Sequence, residues 1–198
     1  MTNLTRRSSL LGFLGITSAL LGILISVQVV SAHEFSPKFR WYSSSVTVKD
    51  TTSSYLNQID TAVFEYHNYT EMNWSESDLG DMVFKEMDFG TTGWYAGAVS
   101  ERLVNQGWVG CMTYPGLAIT GECNAKDAKA HKATIYLNTQ YKTDLDLEID
   151  NVVLHEPGHA IGMAHTECTE TSVMKPSGCG NSYIILKPHD KLHINSWY

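Results

Sequence analysis

The stretch LHEPGHAIGMAH, Leu154 to His165, constrains this 198-residue chain more than any other. His155 and His159 stand four apart. On a helix that spacing puts both imidazoles on one face, one turn apart, where they can reach a single ion. Glu156 follows the first of them. It projects beside such an ion rather than onto it, where a carboxylate can take a proton from water. Gly162 comes three residues after His159, and a glycine can take the left-handed conformation that ends a helix and turns the chain. That turn lets His165 return as a third nitrogen ligand. Three neutral histidines around Zn2+ leave a fourth position open, the arrangement of a catalytic site rather than a closed structural one. The expectation is one catalytic zinc ion on His155, His159 and His165, with Glu156 as general base.

Pro157 stands against this pattern. It has no N–H for the carbonyl of Val153, and its ring crowds that carbonyl, at a cost of ~3 kcal/mol inside a helix. Two placements are open. A helix capped at Asp150 puts Pro157 well inside it, whereas a regular helix starting near Leu154 puts it in the first turn at little cost. A zinc site can supply on the order of 10 kcal/mol of binding free energy, so the metal holds the histidines in either case. Relieving the strain, as in Pro157→Leu, is then expected to raise thermal stability with little change in metal content.

The N-terminus reads as a leader. Met1 to Arg7 carries Arg6 and Arg7 and no acid, an apolar run spans Leu10 to Val30, and Val30-Ser31-Ala32 ends it with small residues. This is the three-part pattern of a secretory signal peptide cut after Ala32. Residues 1–32 are therefore expected to be a signal peptide and 33–198 a single domain, secreted and extracellular. The apolar run exceeds the usual ~7–15 residues, so an N-terminal membrane anchor with the domain facing outward is the alternative. Removing residues 1–32 leaves 12 Lys+Arg against 21 Asp+Glu, a net charge of −9. That balance argues against nucleic acid and anionic membrane surfaces as partners. All four cysteines, Cys111, Cys123, Cys168 and Cys179, lie beyond the leader. An even count behind a signal peptide reads as two disulfides. Of the three pairings the local ones, Cys111–Cys123 and Cys168–Cys179, are preferred, each worth about 3 kcal/mol in the chain-entropy model.

Hydrophobic pattern places the elements. Phe39 to Val48 is extended in character, with Trp41, Tyr42, Val46 and Val48. Lys49-Asp50-Thr51-Thr52 offers helix N-caps. Leu56, Ile59, Val63 and Tyr66 recur at three and four, so Ser53 to Tyr69 reads as an amphipathic helix. Asp81 to Phe89 and ATIYLN, Ala133 to Asn138, read as strands. Gly90 to Gly121 reads as short strands and loops. After Thr143-Asp144, the residues Ile149, Val152, Val153, Ala160 and Ala164 fit a helix period. Pro188 to Tyr198 reads as a last helix with Pro near its first turn and Ile194, Trp197 and Tyr198 buried. Asn68-Tyr69-Thr70 and Asn73-Trp74-Ser75 match the glycosylation acceptor pattern.

HEPGHAIGMAH followed by Ser172-Val173-Met174 resembles the metzincin zinc peptidases. In that family a methionine lies under the metal in a tight turn after the third histidine, and Met174 matches that role. Met174-Lys175-Pro176 is similar to the Met-x-Pro of the matrixin branch. The strand–helix–strand order from Phe39 to Phe89 resembles the matrixin catalytic domain. ATIYLN resembles its substrate-aligning edge strand, and the last helix, with Asp190 in its first turn, resembles the matrixin C-terminal helix. The resemblance implies an α+β, zincin-like metallopeptidase fold: a twisted mixed sheet with an active-site helix and a C-terminal helix. It implies an endopeptidase acting on protein or peptide substrates, and a monomer is expected. Pro176 stands where the astacin and serralysin branches place a tyrosine, so no tyrosine ligand is assigned. The acidic calcium loops and second zinc site of animal matrixins are not recognisable, and calcium is left open. Asp127 and His131 make no convincing substitute. His189 and His193, four apart, lack a third ligand. Cys168 and Cys179 bracket Met174, and a disulfide between them would hold that loop.

Overall fold

Val46 and Val48 are buried at alternate positions of strand β2 (Ser45–Asp50), the period-two pattern of a strand that covers a core on one face. The same alternation recurs in β4 (Met82–Met87) and β8 (Lys132–Asn138), where Met82, Phe84, Ala133, Ile135 and Leu137 point inward. The computed structural model describes residues 39–91, 93, 95–104, 107–110, 128–180 and 182–198. Among these, β3 (Asn73–Glu76), β5 (Ala96–Val104) and β6 (Gly107–Gly110) complete a six-stranded sheet in the order β3-β2-β4-β8-β5-β6. The pairs β2·β3, β2·β4 and β4·β8 are parallel, while β8·β5 and β5·β6 are antiparallel. A second, two-stranded parallel sheet joins β1 (Phe39–Trp41) to β7 (Ala128–Ala130).

Two helices lie against the large sheet and touch each other. Helix α1 (Leu56–Tyr69) packs on β2 and β3, and α2 (Lys142–Ala160) packs on β5 and β8. Between helices and sheet sit Ile59, Tyr66, Phe84, Ile135, Leu137, Leu145 and Leu154, all buried. Tyr66 stacks on Trp74 with ring centroids 4.4 Å apart. The short helix α3 (Pro188–Asn195) closes the chain with Ile194 inward. The α+β class, the mixed sheet, the helix carrying the histidines and the C-terminal helix are as expected.

Several details differ. The extended segment Phe39–Val48 is two strands, because the chain bends at Tyr42–Ser44 and the Trp41 indole Nε1 donates to Ser45 O across the bend. Helix α1 begins at Leu56 rather than Ser53. The polar residues before it are engaged elsewhere: Asp50 accepts from Thr52 N, and Ser53 bonds Glu86. Strand β3 went unread, since three of its four residues are polar and exposed. ATIYLN is not an edge strand: β8 is hydrogen-bonded on both sides, to β4 and β5, so it has no free edge for an added strand. Helix α3 stops at Asn195, leaving Trp197 and Tyr198 beyond it and only partly buried. Ala164 lies past the end of α2.

Pro157 lies well inside the helix, as in the first of the two placements, but the helix begins earlier than either start weighed for it and close to the period read after Thr143-Asp144. Helix α2 starts at Lys142, after a 3-10 turn at Thr139–Tyr141, and contains Pro157 in its interior. Pro157 is buried, so a leucine there would add volume to a packed interior. Overpacking typically costs ~1–3 kcal/mol, which offsets the gain expected from restoring the N–H.

The neighbouring Gly158 has a packing reason. A Cβ at this position would sit 2.4 Å from Met174 Sδ and 3.2 Å from the Tyr66 hydroxyl. Glycine lets the helix backbone settle directly on Met174. Gly158→Ala gains about 1 kcal/mol of helix propensity but forces a buried methionine to move, at roughly 1–3 kcal/mol. A lower melting temperature is expected for Gly158→Ala by calorimetry, and an unchanged or higher one would show that the site has slack.

Candidate metal centre

The last turns of α2 are buried on every side. Val152 through Ala160 all belong to the interior, as expected of a helix without a polar face at that level. His155, Glu156 and His159 are therefore carried into the protein by the packing of the whole segment. The helix then ends in a Schellman turn. Met163 N donates to Gly158 O at 2.8 Å and Gly162 N to His159 O at 2.9 Å, the two bonds that define the motif. Gly162 has φ +103°, a conformation that L side chains resist. The reversed chain brings His165 back over the helix.

There the three imidazoles meet. His165 Nε2 lies 3.2 Å from His155 Nε2 and 3.0 Å from His159 Nε2. Zn–N bonds of ≈ 2.0–2.1 Å in a tetrahedron require ligand nitrogens roughly 3.3 Å apart, so these separations suit a shared ion. The opposite ring nitrogens fix the tautomers. His155 Nδ1 lies 2.7 Å from Val173 O, and His159 Nδ1 lies 2.9 Å from Met163 O. A carbonyl can only accept, so each Nδ1 carries the proton and each Nε2 presents a lone pair. Burial, reinforced by the neighbouring His165, pushes His155 down to about 4, and burial holds His159 well below its ordinary 6.5. The two inward-facing lone pairs, on His155 and His159 Nε2, both lie at hydrogen-bond distance from the third imidazole, and a cation placed among the three nitrogens can take all of them as ligands. The donor set is chemically suited to zinc or a similar borderline metal. Among the described residues this is the one group of three or more His, Cys, Asp or Glu side chains gathered closely enough to hold an ion.

Met174 and Asp190 tie down the segment that carries Val173. Met174 is fully buried against Gly158, and its carbonyl accepts from Thr166 N at 2.9 Å, next to His165. Its own N–H donates to Ser172 Oγ at 2.9 Å. Asp190, buried in the first turn of α3, accepts from the Ser172 hydroxyl, from Val173 N at 3.0 Å and from Lys187 N at 2.9 Å. One carboxylate thus ties α3 to the turn whose Val173 carbonyl orients His155. Cys168 and Cys179 form the expected disulfide around this turn. Tyr66, fully buried, donates its hydroxyl to Leu154 O at 2.7 Å behind the helix. Burial, and then the charges of Asp190 and Glu156, raise its pKa well above the ordinary value.

Ser172, Gly158 and Tyr66 escaped sequence reasoning. Ser172 stands directly before Val173-Met174, and Gly158 lies within the histidine motif, so position marks both in retrospect. Nothing local marks Tyr66. His189 and His193 face each other with ring centroids 4.5 Å apart on α3, and among the described residues no third ligand is grouped with them. His131 stacks on Tyr42 at 4.8 Å. Cys111, Cys123, Asp127 and residues 1–32, expected to be a signal peptide, lie outside the described residues. Among the described residues no helix is long and apolar enough to cross a membrane.

The lowered His155 pKa makes a prediction for metal-free protein. The unfolded chain begins to bind protons near pH 6.5, while folded His155 resists them to about 4. Stability should therefore be level above pH 6.5 and fall as pH drops toward 4, by an amount on the order of 3 kcal/mol. Chelator-treated protein melted at stepped pH values checks this. A His155→Gln variant should show a flatter slope, and an equal slope in both would assign the effect to other groups.

No family model matches the chain, and no curated protein matches it in sequence. Among solved structures it is similar to the structure of myroilysin, at 16% identity and a TM-score of 0.46, over 80% of this chain and 82% of that one. A crystal structure of myroilysin gives 14% identity and a TM-score of 0.44, over 80% of this chain and 85% of the other.

Proposed function

We propose that this chain is a zinc-dependent endopeptidase of the metzincin type, nearest the matrixin branch, secreted after loss of residues 1–32. The observation that carries the reading is the meeting of three imidazole nitrogens at 3.0 and 3.2 Å beside a buried glutamate. A zinc ion held there supplies Lewis-acid polarisation of a carbonyl and lowers the pKa of water toward ≈ 7.

The chain's own groups do the rest. His155 and His159 bind through Nε2 because Val173 and Met163 take up their Nδ1 protons. His165 completes the set from the far side of the Gly162 turn. Glu156 shares the buried turn of α2 with the first two ligands. It takes the proton from water as general base and passes it to the leaving amine. Met174 supports the site from below and touches no substrate. The substrate is an extended protein or peptide segment, taken by a monomer. The Cys168–Cys179 disulfide is consistent with an extracellular location.

A second reading has one observation in its favour. Pro157 lies in the interior of α2 between the two ligand histidines, which suits a metal-binding scaffold that has lost catalytic geometry. Casein hydrolysis separates the two. Wild type should cleave, and chelation should abolish cleavage. Glu156→Ala should lose about 10²–10⁴-fold in rate while retaining its metal, measured by atomic absorption. Equal rates in wild type and Glu156→Ala would remove Glu156 from the mechanism. A wild type that binds zinc and cleaves nothing would establish the second reading.

A further inference from the structure

Tyr198 reaches a point that the chemistry above does not use. The last carbonyls of a helix have no partners within it, yet at the end of α2 each is met. Pro157 O accepts from Ile161 N at 3.0 Å, and Gly158 O and His159 O are taken by the Schellman bonds. The next two carbonyls fall to side chains from distant parts of the chain. Ser100 Oγ donates to Ala160 O at 3.0 Å, and the Tyr198 hydroxyl donates to Ile161 O at 2.9 Å. The Tyr198 oxygen also accepts from Trp41 N at 2.6 Å. One atom thus joins β1, the exit of α2 and the segment after α3. Both partners belong to buried residues, Trp41 at 2% and Ile161 at 0% exposure. Burial pushes the Tyr198 hydroxyl up to about 12, so it keeps its proton at neutral pH.

Ile161 immediately precedes Gly162, the residue whose φ of +103° reverses the chain toward His165. His155 and His159 are fixed by the helix. His165 belongs to no helix or strand and is the exposed member of the three. Its position follows from the direction in which the chain leaves α2. A small rotation at Ile161 is carried through the three residues between it and His165. We infer that Tyr198 is a positioning residue for the metal site: its hydroxyl holds the exit of α2 against β1 and thereby places His165. This rests on the metal-binding reading above.

The test is Tyr198→Phe in the full chain, which keeps the ring and removes the hydroxyl. Zinc affinity, measured by competition with a chromophoric chelator, should fall about 10–100-fold, the range for groups that orient metal ligands from behind. The visible spectrum of the Co2+-loaded protein should change as well. A merely structural tie would lower the melting temperature and leave both metal readouts alone. Affinity within twofold of wild type, with the same Co2+ spectrum, overturns the inference and leaves the zinc reading standing. A wild type that takes up no zinc overturns both. Should Tyr198→Phe not fold, the wild type itself decides. Coupling is reciprocal, so zinc loading should slow hydrogen exchange at the Trp41 amide more than at the β2 amides. Equal slowing overturns the inference.

Discussion

Three ring nitrogens brought together at 3.0 and 3.2 Å are the contact on which the rest of the site depends. His155 and His159, both buried, give up their solvation to meet there. Everything around them works as a brace. The Nδ1 protons are taken by two backbone carbonyls, one in the turn before Met174 and one just past Gly162. Those carbonyls hold their positions only because their own segments are tied down. The turn is fixed by Asp190 from α3, and the residue past Gly162 by the Schellman bonds. The ligand geometry is thus a property of the chain from β1 to Tyr198, not of the histidine motif alone.

The sheet matters to this arrangement by direction more than by content. Its parallel strands β2, β4 and β8 run the same way, and the chain leaves β8 through a single 3-10 turn into α2. That short connection forces α2 back across the sheet, against β8 and β5. It delivers the histidines at the far end of a helix anchored by Leu145 and Ile149. Ser100, in β5, then meets the end of the helix at Ala160 O. A shorter or shifted α2 would miss that partner.

Much of the site was legible because its chemistry demands fixed residue types at fixed spacings. The two-histidine turn, the glycine that ends the helix and the buried methionine each have few substitutes, so the letters carry the geometry. The class of fold and the main helices were legible for a similar reason, since their apolar residues repeat with a plain period. Legibility failed where a partner far along the chain decides the outcome. Strand β3 is polar on the outside and exists because β2 pairs with it. The inner place of β8 is set by β5, whose sequence shows no sign of which strand it will join. The start of α2 follows the period read after Thr143-Asp144 rather than a cap at Asp150, because Leu145, five residues before Asp150, is buried. Tyr66 and Tyr198 read as ordinary core aromatics, and their hydroxyls matter through carbonyls 88 and 37 residues away.

The same long-range support explains how α2 tolerates Pro157. A proline inside an isolated helix loses one backbone bond and bends the axis, at ~3 kcal/mol. An isolated helix has little with which to resist that bend. Here the carbonyls near the proline are held from outside the helix. Tyr66 takes Leu154 O, Ser100 takes Ala160 O and Tyr198 takes Ile161 O, while Met174 fills the space under Gly158. Each such bond contributes about 1 kcal/mol net, so together they match the proline penalty. They also act on both sides of the residue that causes it. The segment keeps its shape because its surroundings specify it, and the two histidines flanking Pro157 need only the final position of the backbone.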